Sequence, residues 1–288
     1  MYEIWLVTLC WGLSFPLARI LVGEMNPLWI TFFRFFLGGG TLFIYAVFRT
    51  SWADFKKQPW SLILFLAVFE FFLMYFLYLS SLKYLPASKV AALTLTTPAI
   101  ILLFDSFFRK RLPGIKIIFP VILAVLGALA LYNRNVASNF NPYAQLFGFA
   151  LILGSNACFA FANVIMRPKL QASSLPVISL AQLLAAFMSG LASLSLVGLP
   201  GKLSLTNWGI LFYLSVVATG LGFWFWNRSI NKLGALYPSL ISNLKAPIAA
   251  IFSMIILSEL VPFIMWLGMT FLILSAGLAH TTIEKVKQ

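Results

Sequence analysis

Stretches of about twenty apolar residues recur along this chain, and that recurrence limits its fold more than any motif does. A bilayer core is about 30 Å thick, and a helix rising about 1.5 Å per residue needs about 20 residues to cross it. Runs of that length cover roughly residues 4–22, 27–48, 60–82, 86–108, 113–133, 143–166, 176–198, 205–229, 235–257 and 262–280. Prolines punctuate them. Pro27, Pro59, Pro86, Pro113, Pro142, Pro176 and Pro262 fall at or just before the predicted helix starts, where a missing N–H costs no helical bond. Barrel strands would be short and alternating, and these runs are neither. The chain is read as an all-α membrane protein of ten transmembrane helices.

Composition agrees. The chain is 61% hydrophobic and 9% charged, against about 45–50% and about 25% for soluble domains. It therefore lacks the charge to coat a water-facing surface, and disorder, coiled coil and a disulfide scaffold are excluded with it. The net charge of +13 is assigned to basic residues at an anionic lipid surface. No basic run interleaves with exposed aromatics, so nucleic acid is not an expected partner. Cys10 and Cys158 lie inside apolar runs and read as small fillers. His280 is the single histidine, so a His-based metal site has no partner residue, and no cofactor is called for. The first run lacks a basic leader and is read as a retained helix.

Orientation follows from Lys and Arg placement. With the N-terminus inside, most of the twenty basic residues fall on the inner side, and Arg19, Lys83, Lys89, Arg134 and Lys202 on the outer. Arg34 and Lys245 fall within spans. Both termini are expected to be cytoplasmic, in the plasma membrane, with a bacterial inner membrane the favoured setting.

The chain also repeats itself. A shift of about 149 residues places Pro27 on Pro176, Lys83 on Lys232, Pro98 on Pro247 and Pro113 on Pro262. Residues 1–138 and 139–288 are therefore read as two units of five spans each. An odd span count inserts the second unit upside down, which gives the inverted repeat typical of secondary transporters.

The chain resembles the EamA branch of the drug/metabolite transporter superfamily over essentially its full length. The segment WGLSFPLARI from Trp11 is similar to that family's opening stretch, and Arg34-Phe35 to its usual Arg-Phe pair. The stretch from Asn231 through Leu260, with Pro247 and Glu259, is similar to its closing signature. Two departures stand out. Arg109-Lys110-Arg111 replaces the usual Gly-Glu at the end of the fourth span, and Lys245 replaces an apolar residue. The resemblance implies a central cavity with kinks at Pro98 and Pro247, and it draws attention to Trp11 and Trp226 on its walls.

Intramembrane ionisable groups are functional candidates by default, because a charge at mid-bilayer costs several kcal/mol. Glu70 and Lys245 come from opposite repeats at similar depth. Lys245 is read as holding an anionic group and Glu70 an amine or a proton; the competing reading is a structural ion pair. Ideal helical phase puts Ser242 on the Lys245 face and turns Asn243 away from it. The same phase leaves Tyr75 and Tyr78 around the helix from Glu70. Arg34 is read as tying helices together through backbone carbonyls. Asn156 and Asn163 share one face of the sixth span. The expected substrate contacts are Lys245, Glu70, Ser242, Tyr78, Trp11, Trp226, Thr94 and Asn163.

Hydrolase, zinc-protease and Walker motifs are absent, so the chain is not read as an enzyme or as ATP-driven. The expected function is secondary transport of a small metabolite, an amino acid in the simplest case, out across the plasma membrane by alternating access. Protons are a candidate coupling ion. An exchanger of phosphorylated or nucleotide-linked compounds, and a flippase or scaffold, are the alternatives. Because one chain carries both halves, a monomer is expected.

Overall fold

A computed structural model describes residues 2–51, 55, 58–108, 110, 115–131, 141–166, 175–233 and 241–287. Among these residues the regular structure is helical throughout. The helices are α1 (Tyr2–Glu24), α2 (Pro27–Arg49), α3 (Trp60–Ser81), α4 (Ala87–Phe108) and α5 (Ile115–Leu131). They continue as α6 (Pro142–Met166), α7 (Leu175–Leu196), α8 (the run Leu205–Phe212, Tyr213–Leu221 and Gly222–Leu233), α9 (Lys245–Leu257) and α10 (Phe263–Lys287). Seven, namely α1 to α4 and α6 to α8, are long and apolar enough to cross a membrane. The shorter apolar stretches Val121–Ala130, Lys245–Leu257 and Phe263–Ser275 lie in α5, α9 and α10. The chain is a multi-pass membrane protein.

Starts follow the prolines. α2 and α6 begin on Pro27 and Pro142, α3, α4 and α10 begin one residue after Pro59, Pro86 and Pro262, and Pro176 is the second residue of α7. At the α2 start Asn26 adds a cap, its side chain accepting from the Leu28 N–H at 3.0 Å. Pro113 and residues 235–240 lie outside the described residues.

Packing pairs recur five helices apart. α1 packs on α9 as α6 packs on α4; α1 packs on α8 as α6 packs on α3; α2 packs on α8 as α7 packs on α3. The pairs α2–α7, α5–α10 and α4–α9 map onto themselves. Local irregularities recur as well. A wide, π-type turn occupies Ala67–Leu73 in α3 and another Tyr213–Leu221 in α8. The 3₁₀ turn Thr94–Thr96 interrupts α4, and a turn at 243–244 precedes α9. Pro98 and Pro247 each sit in the first turn of the helix that follows such a break.

Close helix approach depends on small residues. A Cβ added to Gly38 of α2 would lie 2.5 Å from the Ser215 carbonyl oxygen of α8, so even alanine forces these helices apart. Lys89, counted with the outer-side charges, is the third residue of α4 and is fully buried, because the helix begins at Ala87.

Candidate functional site

A cavity of about 200 Å³ opens where α1, α2, α3, α4, α6, α8 and the start of α9 converge. Lys245, Glu70, Ser242, Tyr78, Trp11, Trp226 and Thr94 all line it, as does Pro98. Pro247 does not line it, and the Asn163 side chain lies outside what is described.

The walls are largely aromatic. Trp11 packs against Trp226 and Phe223, with ring centroids 5.3 and 5.9 Å away, and its indole N–H donates to the Ala218 carbonyl at 2.9 Å. That bond fixes the indole so that its face meets Lys245, whose Nζ lies 5.7 Å from the ring centroid. One turn further along α1, Phe15 meets Tyr78 edge-on at 5.4 Å. Among the described residues no carboxylate forms an ion pair with Lys245; the salt bridge found joins Arg228 to Glu3 at 2.9 Å. The reading of Glu70 and Lys245 as a structural pair is therefore not met, although both face the same cavity.

Two phase arguments need correction. Asn243 lines the cavity beside Lys245 instead of pointing away. The turn at 243–244 breaks the 100° per residue progression before α9 starts. Tyr75 and Tyr78 line the cavity together with Glu70. The wide turn Ala67–Leu73 holds an extra residue, which rotates everything after it relative to Glu70.

Arg34 is also placed differently from its expected carbonyl-tying role. It is 2% exposed, lines the cavity, and its Nε donates to the Thr219 hydroxyl of α8 at 3.1 Å. Its guanidinium stands 4.9 Å over the Tyr75 ring. Asn156 lines the cavity too and donates to the Leu93 carbonyl at 2.8 Å and the Thr96 hydroxyl at 2.9 Å. It thereby secures the carbonyl at the 3₁₀ break of α4. The Thr94 carbonyl, to which Pro98 has no N–H to donate, accepts from the Thr97 N–H of the 3₁₀ turn and from the Thr97 hydroxyl at 2.7 Å. Sequence reasoning left Arg34, Tyr75, Asn156 and Asn243 off the expected contacts. An intramembrane charge or amide is itself the signal that could have flagged three of them.

The model of the EamA-like transporter family matches residues 3–133 and 146–281. The chain belongs to that family. A biotin transporter of Salmonella typhimurium is 27% identical over 248 residues, covering 84% of this chain and 80% of the relative. A probable biotin transporter of Pseudomonas aeruginosa is 24% identical over 260 residues, covering 88% and 87%. An uncharacterized transporter of Bacillus subtilis is 24% identical over 256 residues, covering 84% and 81%. A crystal structure described only as that of a protein superposes with a TM-score of 0.69. It covers 100% of this chain and 98% of the other at 17% identity, a likeness of fold alone. This chain is a membrane transporter and not an enzyme.

Proposed function

We propose that this EamA-family transporter carries a small monocarboxylate through the central cavity, with biotin the first compound to test. The observation that carries the reading is Lys245: an ammonium on an aromatic cavity wall, over Trp11, with no carboxylate partner among the described residues. An incoming carboxylate supplies the missing counter-charge through a charge-assisted hydrogen bond. Among the described residues, the charged ones lining the cavity are Arg34, Lys245 and Glu70. With all three ionised, one positive charge is left for a monoanion to neutralise. The names of the Salmonella and Pseudomonas relatives direct the choice to biotin. An amino acid is the second reading, because Glu70 on the same cavity offers a site for its ammonium group.

The transport mechanism proposed is alternating access between two inverted five-helix halves, divided near residue 138. The helix pairings that recur five apart, the paired wide turns and the paired breaks in α4 and α9 support that division. Broken helices at the repeat interface are where such proteins place their ligand site. We place the protein in a bacterial plasma membrane with both termini cytoplasmic, acting as a monomer in the export direction.

Counterflow in proteoliposomes tests the substrate without prejudging direction. Vesicles loaded with unlabelled biotin should accumulate labelled biotin transiently, and loading with biotin amide should abolish the overshoot. Overshoot with an amino acid and none with biotin would move the assignment to the second reading. A protein that passes no small solute would not fit the mechanism.

A further inference from the structure

Three residues on the cavity wall carry a buried polar atom that makes no short hydrogen bond: Nη1 of Arg34, the hydroxyl of Tyr78 and Nδ2 of Asn243. Their residues are 2%, 7% and 8% exposed. A buried donor left without a partner costs stability, and native proteins rarely keep several in one place without use. All three residues line the same cavity.

They sort into two poles. Asn243 is two residues from Lys245 and belongs with the proposed carboxylate site. Arg34 and Tyr78 come from α2 and α3, their side chains face each other directly, and Tyr75 packs against both. The guanidinium lies 4.9 Å over the Tyr75 ring, and Tyr75 meets Tyr78 edge-on at 6.0 Å. Successive turns of α1 meet the two poles. Trp11 faces Lys245 and Phe15 faces Tyr78, which are four residues and about 6 Å apart along the helix axis. Between the poles the wall is aromatic.

We propose that Arg34 and Tyr78 form a second subsite, which takes an uncharged carbonyl oxygen at the far end of the transported carboxylate. Arg34 can only donate, so an acceptor atom is the group that satisfies it and Tyr78 together. The acceptor is uncharged because the cavity's single excess positive charge is already met by the carboxylate at Lys245. The class is thus an amphipathic monocarboxylate with a urea-, amide- or lactam-type oxygen at its other end. A plain fatty acid leaves the second pole empty and is discriminated against. This rests on the monocarboxylate reading above, and the test separates the two.

Binding to the full chain in lipid nanodiscs is measured by calorimetry with biotin, biotin amide and 2-iminobiotin. The amide loses the carboxylate. In 2-iminobiotin a guanidine, protonated at neutral pH, replaces the ureido group, so an N–H donor and a positive charge stand where the acceptor was. The parent protein should bind biotin more tightly than either analogue. Tyr78→Phe keeps the ring and removes the hydroxyl, and a cooperative melt checks that the variant is folded. It should weaken biotin about five- to tenfold, the range for one hydrogen bond, and leave 2-iminobiotin unchanged. Arg34→Lys should act in the same direction, and Lys245→Met should erase the preference for biotin over its amide. If Tyr78→Phe and Arg34→Lys leave the ratio of biotin to 2-iminobiotin binding unchanged while Lys245→Met still erases carboxylate preference, the second subsite is wrong and the monocarboxylate reading stands. If the parent protein does not bind biotin, both are wrong.

Discussion

Glu259 holds Ser88 twice: its Oε2 accepts from the Ser88 N–H at 3.0 Å and from the Ser88 hydroxyl at 2.6 Å. Its Oε1 accepts from the neighbouring Ala87 N–H at 2.7 Å. The residue just past α9 thus caps the start of α4, where helical N–H groups lack partners and the helix dipole favours a negative charge. Arg19 lies within electrostatic reach of the same carboxylate and donates to the Leu82 carbonyl beyond α3. Under the repeat the position opposite Glu259 is Lys110, so the second half supplies this cap and the first half lacks its equivalent.

Glu259→Ala removes three hydrogen bonds to a charged group and should destabilise the protein by about 2–3 kcal/mol. Unfolding followed by tryptophan fluorescence in detergent checks it. An unchanged midpoint would show that the first turn of α4 does not need the cap.

Ser258, immediately before it, is left-handed at φ 52° and ψ 31°. It ends α9 in the conformation that glycine adopts without a Cβ penalty. Ser258→Gly should raise stability by about 0.5–1 kcal/mol in the same assay. A lower melting point would mean that the serine side chain outweighs the backbone strain.

Helix ends were legible in the sequence where length and proline agree. α2, α3, α4 and α7 begin and end within two residues of their expected limits. Phase was not legible where the helix departs from 3.6 residues per turn. Tyr75 and Tyr78 reach the cavity because a wide turn intervenes after Glu70, and Asn243 because a turn separates it from ideal helix. No local residue pattern marks either irregularity from a single sequence. Arg34 was noticed as an intramembrane charge but given a structural task, since its neighbours Tyr75 and Thr219 are distant in sequence and meet it only in the fold. The candidate site was otherwise readable, because ionisable and polar residues stand out against so apolar a background.

Assembly gives a third prediction. The cavity walls all come from one chain: α1 to α4, α6, α8 and the start of α9. Vesicles holding single subunits, counted by fluorophore bleaching, should transport at the same rate per subunit as vesicles holding two. Activity confined to vesicles with two subunits would contradict this.

Glu70 stands in the wide turn of α3, and the offset of about 149 residues puts Thr219 at the matching place in α8. The acid therefore has a neutral counterpart, and Glu70 is the carboxylate among the described residues that line the cavity. Glu70→Gln should keep substrate binding and counterflow but abolish the dependence of net flux on an imposed pH gradient. Flux that still responds fully to the gradient would remove Glu70 from any coupling.

Lys245 is the residue on which the substrate assignment turns. It begins α9, where its own charge opposes the helix dipole, and Trp11 offers it a ring face but no counter-ion. Such a placement costs folding energy, which a bound carboxylate would recover. Lys245→Met keeps the side chain's length and apolar bulk, so the variant should fold as well as the parent or better. Its affinity for carboxylate substrates should fall about ten- to a hundredfold, since a charge-assisted hydrogen bond is worth about 1.5–3 kcal/mol and each 1.4 kcal/mol is a factor of ten. Uncharged analogues should bind both proteins alike. Calorimetry with biotin and biotin amide reads both arms at once. Equal weakening of acid and amide, in a variant that still melts cooperatively, would make Lys245 a structural neighbour of Trp11 and not the substrate's counter-charge.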